Sequence, residues 1–294
     1  MNMNEIITKA EILTEALPYI RNFFGKTFVI KYGGAAQAEE NLKESFARDV
    51  VLLNFIGIRT AIVHGGGPKI SVTMEKMGKK PQFVHGQRVT DKETMDIVEM
   101  VLGGLINKEI VSLINSHGGR AVGLSGKDGG LIRARKKLIR KSSETGSDEM
   151  IDIGLVGEVT RIEPQVIRSL EKDGFIPVIS PVGVGAKGET LNINADYVAA
   201  ALASALHAEK MILLTDVPGI IDKHKRTVST LRSGQVRKLI RDGTVTGGML
   251  PKVQACLGAV EGGVAKTHII DGRVPHCLLL EIFTKEGIGT EIQA

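Results

Sequence analysis

The chain has 294 residues, 43% of them hydrophobic and 24% charged. That is enough to bury one large core or two moderate ones, and it excludes the disordered and collagen-like classes. The net charge is only +5, with no Trp and three Tyr, so a nucleic-acid binder with a dense basic field and stacking aromatics is disfavoured.

Ile6, Leu13, Leu17, Ile20 and Phe24 fall near helical spacing. They predict an amphipathic helix over 5–24, kinked at Pro18 and stopped by Gly25. A strand follows at 27–31 and ends in Lys31-Tyr32-Gly33-Gly34. A helix is predicted over 42–56, then a strand over 60–63 ending in His64-Gly65-Gly66-Gly67, then a helix from Pro68. Further strands are predicted at 121–124, 176–180, 211–215 and 265–270, with helices at 91–116, 196–206 and 253–260. Strands alternating with helices imply a mainly parallel sheet covered on both faces, a three-layer α/β sandwich. Residues 131–159 read instead as antiparallel hairpins, with a polar turn at 142–147, and the basic run 133–141 as their solvated part. A lobe boundary is placed near His207.

Cys256 and Cys277 have no metal-binding spacing and read as buried thiols. No apolar run reaches the roughly 18 residues of a membrane span. Glu5, Lys9 and Glu11 break any signal-peptide core, so a cytoplasmic protein is expected.

In a parallel sheet, ligands bind beyond the carboxyl ends of the strands, where the Gly-rich signals lie. No Walker A or protein-kinase motif occurs. Gly183-Val-Gly185-Ala-Lys-Gly188 matches a dinucleotide fingerprint by letter, but no helix pattern opens at its last Gly, so it reads as a hairpin turn. Lys31 before paired Gly sets a cation beside bare backbone N–H groups, which suits an oxyanion; a surface lysine before a turn fits equally. Three Gly at 65–67 exceed the needs of one turn and favour close approach of a ligand, with a helix N-terminus following. Arg88 can grip a carboxylate. Asn192 and Asn194 alternate before Asp196, itself either a site carboxylate or a helix-start residue. Thr215-Asp216-Val217-Pro218-Gly219 can cradle a nucleotide or simply turn the chain. Thr246-Gly247-Gly248-Met-Leu-Pro-Lys252 is a third Gly-rich element with a lysine. His64 and His85 read as structural or substrate-contacting rather than as bases.

Taken in order, these segments resemble the amino-acid kinase family and, within it, the arginine-sensitive acetylglutamate kinases with an N-terminal extension. The matching stretches run from Phe28–Gly34 through Ile62–Ile70, His85–Asp91, Val122–Gly130, Asn192–Asp196, Leu213–Ile220, Gly247–Lys252 and Thr267–His276 to Glu286–Ile292. One departure is Ala35-Ala36-Gln37, where the family often has Asn-Ala-Met.

The resemblance implies ATP-dependent phosphorylation of the side-chain carboxylate of N-acetyl-L-glutamate in arginine biosynthesis, with Mg2+ held mainly by the nucleotide. It implies Lys31 and Lys252 as transition-state stabilisers oriented by Asp196. Gly66, Gly67, Arg88 and Asn192 would bind the acceptor. Gly33, Gly34, Asp216, Val217, Pro218, Gly219, Ile220, Ile221, Thr244, Val245 and Thr246 would line the nucleotide site. An arginine effector would sit near Tyr19, Lys210, His268 and Glu286. Residues 1–24 would join dimers into a hexamer, 25–206 would bind the acceptor and dimerise, and 207–294 would bind ATP. The resemblance also admits a PII-type protein as a partner. The alternatives are a related kinase with glutamate or carbamate as acceptor, a silent arginine sensor, and, least favoured, a nicotinamide-binding protein.

Overall fold

The computed structural model describes residues 2–37, 39–141 and 149–294; the turn expected at 142–147 lies outside them. Helix α1 (Met3–Phe23) runs without interruption through Pro18. Strand β1 (Thr27–Tyr32) is buried along almost its whole length, as a strand covered on both faces must be. Helix α2 (Glu40–Phe55) leads to β2 (Arg59–His64), and β2 runs directly into α3 (Gly67–Lys76).

A short hairpin follows, β3 (Phe83–Val84) and β4 (Gln87–Arg88). Its two turn residues, His85 and Gly86, have φ of 47° and 74°. Two left-handed residues in a two-residue loop make a type I′ turn, which glycine eases. The helix expected over 91–116 is three pieces: α4 (Lys92–Glu99), a π-helical segment (Met100–Ile106) and α5 (Asn107–Ser116). Gly103 and Gly104 lie in the π segment and weaken the regular helix there.

Strand β5 (Ala121–Ser125) precedes the long antiparallel pair β6 (Ile132–Lys141) and β7 (Glu149–Ile162). Then come α6 (Gln165–Lys172), β8 (Ile176–Ser180), β9 (Val182–Val184) and β10 (Thr190–Ile193). The Gly183–Gly188 segment is the hairpin between β9 and β10, which pair antiparallel. Helix α7 (Ala195–Leu206) leads to β11 (Lys210–Thr215), β12 (Thr230–Arg232), α8 (Ser233–Arg241) and α9 (Met249–Glu261). Strand β13 (Lys266–Asp271), α10 (Cys277–Phe283) and β14 (Thr290–Gln293) complete the chain.

Eight strands form one sheet in the order β12-β14-β13-β11-β1-β2-β8-β5, parallel except where β14 meets β13. Val29, Ala61, Val63, Met211 and Leu213 feed one hydrophobic cluster, and Phe28, Ile30, Ile62 and Ile212 feed another. Each fully buried aliphatic or aromatic side chain contributes about 1.5–3 kcal/mol. The sheet runs continuously across position 207, because β11 pairs directly with β1. From β1 the chain crosses to β2 on one side, while β11 lies on the other. This makes the carboxyl end of β1 the natural ligand position. A closed four-stranded sheet, β10-β7-β6-β9, overhangs that end. The Arg88 hairpin docks on it, since Thr90 N donates to Ile153 O and Leu155 N to Thr90 O.

Candidate active site

A cavity of about 300 Å³ lies beyond the carboxyl ends of β1 and β2. It is lined by Lys31, Gly34, Gly66, Gly67, Arg88, Asn192, Asp196 and Lys252, among others. Four elements meet there. Lys31 ends β1. The glycines join β2 to α3 and line the cavity, at a helix start whose first N–H groups have no intrahelical partner. Asp196 lies in the first turn of α7, where Asn194 caps the helix by accepting from Asp196 N at 2.8 Å. Asn194 is therefore committed to its helix, whereas Asn192 donates to Thr90 Oγ1 at 3.3 Å. Lys252 lies in the first turn of α9. That helix starts four residues earlier than expected, because Pro251 is tolerated in a first helical turn.

Asp196 sits between two cations. Lys31 Nζ lies 3.1 Å from Oδ1 and Lys252 Nζ 3.1 Å from Oδ2. Lys252 donates a hydrogen bond to Oδ2, whereas Lys31 approaches Oδ1 as an ion contact without that alignment. Burial pushes the Asp196 carboxyl up, but the two ammoniums outweigh this and hold it below its usual range. Burial also pulls Lys31 down, with Asp196 opposing and Lys252 reinforcing the shift. The trio is largely buried, and a cation acts more strongly on an anion there than in water.

Arg88 is 7% exposed. It donates to Gly67 O at 3.0 Å and Ser71 Oγ at 2.8 Å, and its guanidinium lies 4.7 Å from the Phe83 ring. No carboxylate among the described residues pairs with it, so a buried cation faces the cavity awaiting an anion. Burial lowers its pKa. Among the described residues Asp196 is the only acid in the cavity wall, and Ile70, Phe83, Leu102 and Val156 supply apolar surface. A Cβ on Gly66 would meet Ile106 Cδ1 at 2.4 Å and Leu102 Cδ2 at 2.6 Å. The π segment thus packs directly under the glycine loop. Leu102 escaped the sequence reading; Gly103-Gly104 inside a helical pattern was its one signal.

His64 is fully buried, bonded through Nδ1 to Gly65 O and through Nε2 to the Asn107 amide. Burial lowers its pKa to about 4, so it is a neutral structural group. His85 occupies the type I′ turn of the β3–β4 hairpin.

The other expected residues lie outside this cavity wall. Gly33 stands beside it, where a Cβ would lie 3.1 Å from Lys31 Nζ. Asp216, Val217, Pro218, Gly219, Ile220 and Ile221 follow the carboxyl end of β11; Asp216 is exposed and its charge reaches Lys31. Ile220 and Val245 are buried in the core, so only their backbone can face a nucleotide. Thr244 donates to Asp242 Oδ1 at 2.6 Å, and Thr246 is exposed. Among the described residues no cluster of three or more His, Cys, Asp or Glu side chains could hold a metal. No helix among them is long and apolar enough to cross a membrane.

A second cavity, of about 360 Å³, opens at the amino ends of β11 and β13. Tyr19, Lys210, His268 and Glu286 all line it. Lys210 Nζ lies 3.0 Å from His268 Nε2, and His268 Nδ1 lies 2.6 Å from Glu281 Oε1. Glu281 and Glu291 add carboxylates to its wall.

Residues 26–271 match the model of the amino acid kinase family. An acetylglutamate kinase of Geobacter sp. (strain M21) is 58% identical over 99% of this chain and 100% of its own length. One from Geotalea daltonii is 59% identical over the same shares. Among solved structures, the Neisseria gonorrhoeae N-acetylglutamate synthase complexed with coenzyme A and N-acetyl-glutamate superposes with a TM-score of 0.82 at 26% identity; the match covers 97% of this chain and 63% of that one. The chain belongs to the amino acid kinase family, within its acetylglutamate kinase branch.

Proposed function

We propose that the enzyme transfers the γ-phosphoryl group of ATP to the side-chain carboxylate of N-acetyl-L-glutamate, as a step of arginine biosynthesis in the cytoplasm. The observation that carries this reading is the pair of lysines from distant elements meeting on one buried aspartate at 3.1 Å each, beside an uncompensated arginine. The cavity is at the lower end of ligand-pocket sizes. It has room for one small acceptor, which leaves the nucleotide to the carboxyl end of β11. A free amino acid would bring an ammonium group, and the only acid among the described residues of the wall is already shared by two lysines. An N-acylated acceptor brings none, and its acyl group suits the apolar wall.

The acceptor carboxylate has a reference pKa of about 4.3 and is already ionised at pH 7, so no base is needed. One of its oxygens forms the new bond to phosphorus. The bond from phosphorus to the bridging oxygen breaks, and ADP leaves with that electron pair. Two anions must approach each other, so catalysis is positioning plus positive charge. Lys31, Lys252 and the glycine N–H groups supply it, and Asp196 keeps the two ammoniums apart and aimed. One such preorganised contact is worth about 3 kcal/mol, roughly 10²-fold in rate. Mg2+ would be held chiefly by the nucleotide phosphates.

Arginine is the proposed effector of the second cavity, where Glu286 offers a carboxylate to a guanidinium, while Glu281 pairs with His268 and Glu291 with Lys266. Ile7, Leu13 and Leu17 of α1 are 48%, 74% and 52% exposed, an apolar stripe that a second copy of the chain would cover. This supports a hexamer of linked dimers. The proposed division is an oligomerisation helix (1–24), an acceptor lobe (25–206) and a nucleotide lobe (207–294), the two lobes sharing one continuous sheet. ATP-dependent hydroxamate formation, compared for N-acetylglutamate, glutamate and carbamate with and without arginine, tests the reading. Preference for glutamate or carbamate would overturn the acceptor assignment.

A further inference from the structure

We propose that Tyr197 is a positioning residue that clamps the first turn of α9, and with it Lys252, against α7. This deepens the functional reading above and rests on it.

Lys252 must hold an ammonium group within hydrogen-bond reach of Asp196, and the start of its helix is held by Met249 and Leu250 packed against the core and by 3.2 Å backbone bonds to Thr246 O and Gly247 O, with no side-chain cap. Gly247 and Gly248, just before it, have nothing packed against their Cβ positions within 4 Å. The N-cap, Gly248, offers no side-chain bond. Below the helix, Val253 is buried in the core. On the open side, the Tyr197 hydroxyl donates to Gln254 Oε1 at 2.9 Å. Tyr197 follows Asp196 in sequence, and Gln254 lies two residues after Lys252. The hydroxyl–amide bond therefore runs alongside the Lys252–Asp196 contact and ties the same two helix starts together.

The tyrosine reaches a third unit. Lys137 Nζ of β6 lies 5.5 Å from its ring centroid, within cation–π range. Strand β6 belongs to the closed sheet whose β10 carries Asn192. One half-buried ring thus touches the helix of Asp196, the helix of Lys252 and the sheet that overhangs the acceptor. Among the described residues no hydrogen bond or cation–π contact joins Tyr197 to Lys31 or Lys252, so its effect passes through the placement of Lys252. Misplacing a catalytic group by an ångström is costly even when every group is present.

The test uses the full chain. Tyr197→Phe removes only the hydroxyl, and Gln254→Leu removes the side-chain amide whose oxygen accepts from it. A net hydrogen bond of this kind predicts that each change lowers kcat about threefold to tenfold, with the acceptor KM unchanged, because Arg88 and Asn192 are untouched. The double variant should be no slower than either single one, as for two partners in one interaction. Backbone amides of 249–254 should exchange with deuterium faster in Tyr197→Phe than in wild type. Wild-type kcat with unchanged exchange would overturn the proposal. So would a rise in acceptor KM matching the fall in kcat, or losses that multiply in the double variant. If the wild-type enzyme does not phosphorylate N-acetylglutamate, the functional reading falls, and the exchange comparison alone then decides the clamp.

Discussion

Replacing Asp196 by Asn keeps the shape of the site and removes the only negative charge among the described residues of its wall. Each ammonium lies 3.1 Å from a carboxylate oxygen. At an effective dielectric of about 20, one such contact is worth about 5 kcal/mol before desolvation. Breaking a buried ion pair on one side typically costs about 3–5 kcal/mol. The loss is bounded, because a lysine left unpaired can shed its proton. From a pKa of about 10.4, that costs about 1.4 kcal/mol per pH unit, or close to 5 kcal/mol at pH 7. Asp196→Asn should therefore lose about 3–5 kcal/mol of stability at pH 7, read from denaturant melts. Its Lys31 would have a folded pKa well below the unfolded one, so the unfolded state binds more protons and stability rises with pH. Burial already holds Lys31 down in wild type, so the gap to wild type should shrink by less than about 1.4 kcal/mol per unit between pH 7 and 9. An Asn variant as stable as wild type at pH 7, or a gap that widens with pH, would refute the charge-triad description.

Arg88→Ala should raise the acceptor KM at least about tenfold and leave the KM for ATP unchanged, since it removes a charge-assisted grip on the acceptor's other carboxylate; initial-rate kinetics checks this. Burial pushes Glu171 up to about 7, with Arg59 and Arg168 opposing, and its Oε1 has no hydrogen-bond partner among the described residues. A carboxyl with a raised folded pKa loses stability as pH rises through about 4.5–7. Glu171→Gln should thus match wild type near pH 4.5 and exceed it by about 1–2 kcal/mol at pH 8, discounted for partial exposure, as thermal melts would show. A chain beginning at Gly25 should be a smaller assembly by light scattering and should lose inhibition by arginine.

The sequence made the strands and their glycine-rich ends legible because buried parallel strands are short apolar runs and glycine clusters mark close approach. Lys31, Gly66, Gly67, Arg88, Asn192, Asp196 and Lys252 come to one cavity, although no spacing rule brings residues 31, 196 and 252 together; the resemblance did. Local conflicts hid other features. Pro251 argued for a loop where α9 had already begun, and the glycine pair 103–104 lies in a π segment within a helical pattern. Asn194 alternates with Asn192 but serves as the cap of α7, a role decided only by where that helix begins. Tyr197 and Gln254 carry no sequence signal as a pair, since their contact depends on the packing of α7 on α9.

The central claim is that Lys252 acts on the phosphoryl group in flight rather than on bound substrates. Its most direct test is kcat of Lys252→Ala at saturating ATP and N-acetylglutamate, in a variant whose melting curve shows it folded. A fall of about 10²-fold with both KM values within a few-fold of wild type is predicted. A wild-type kcat would contradict it.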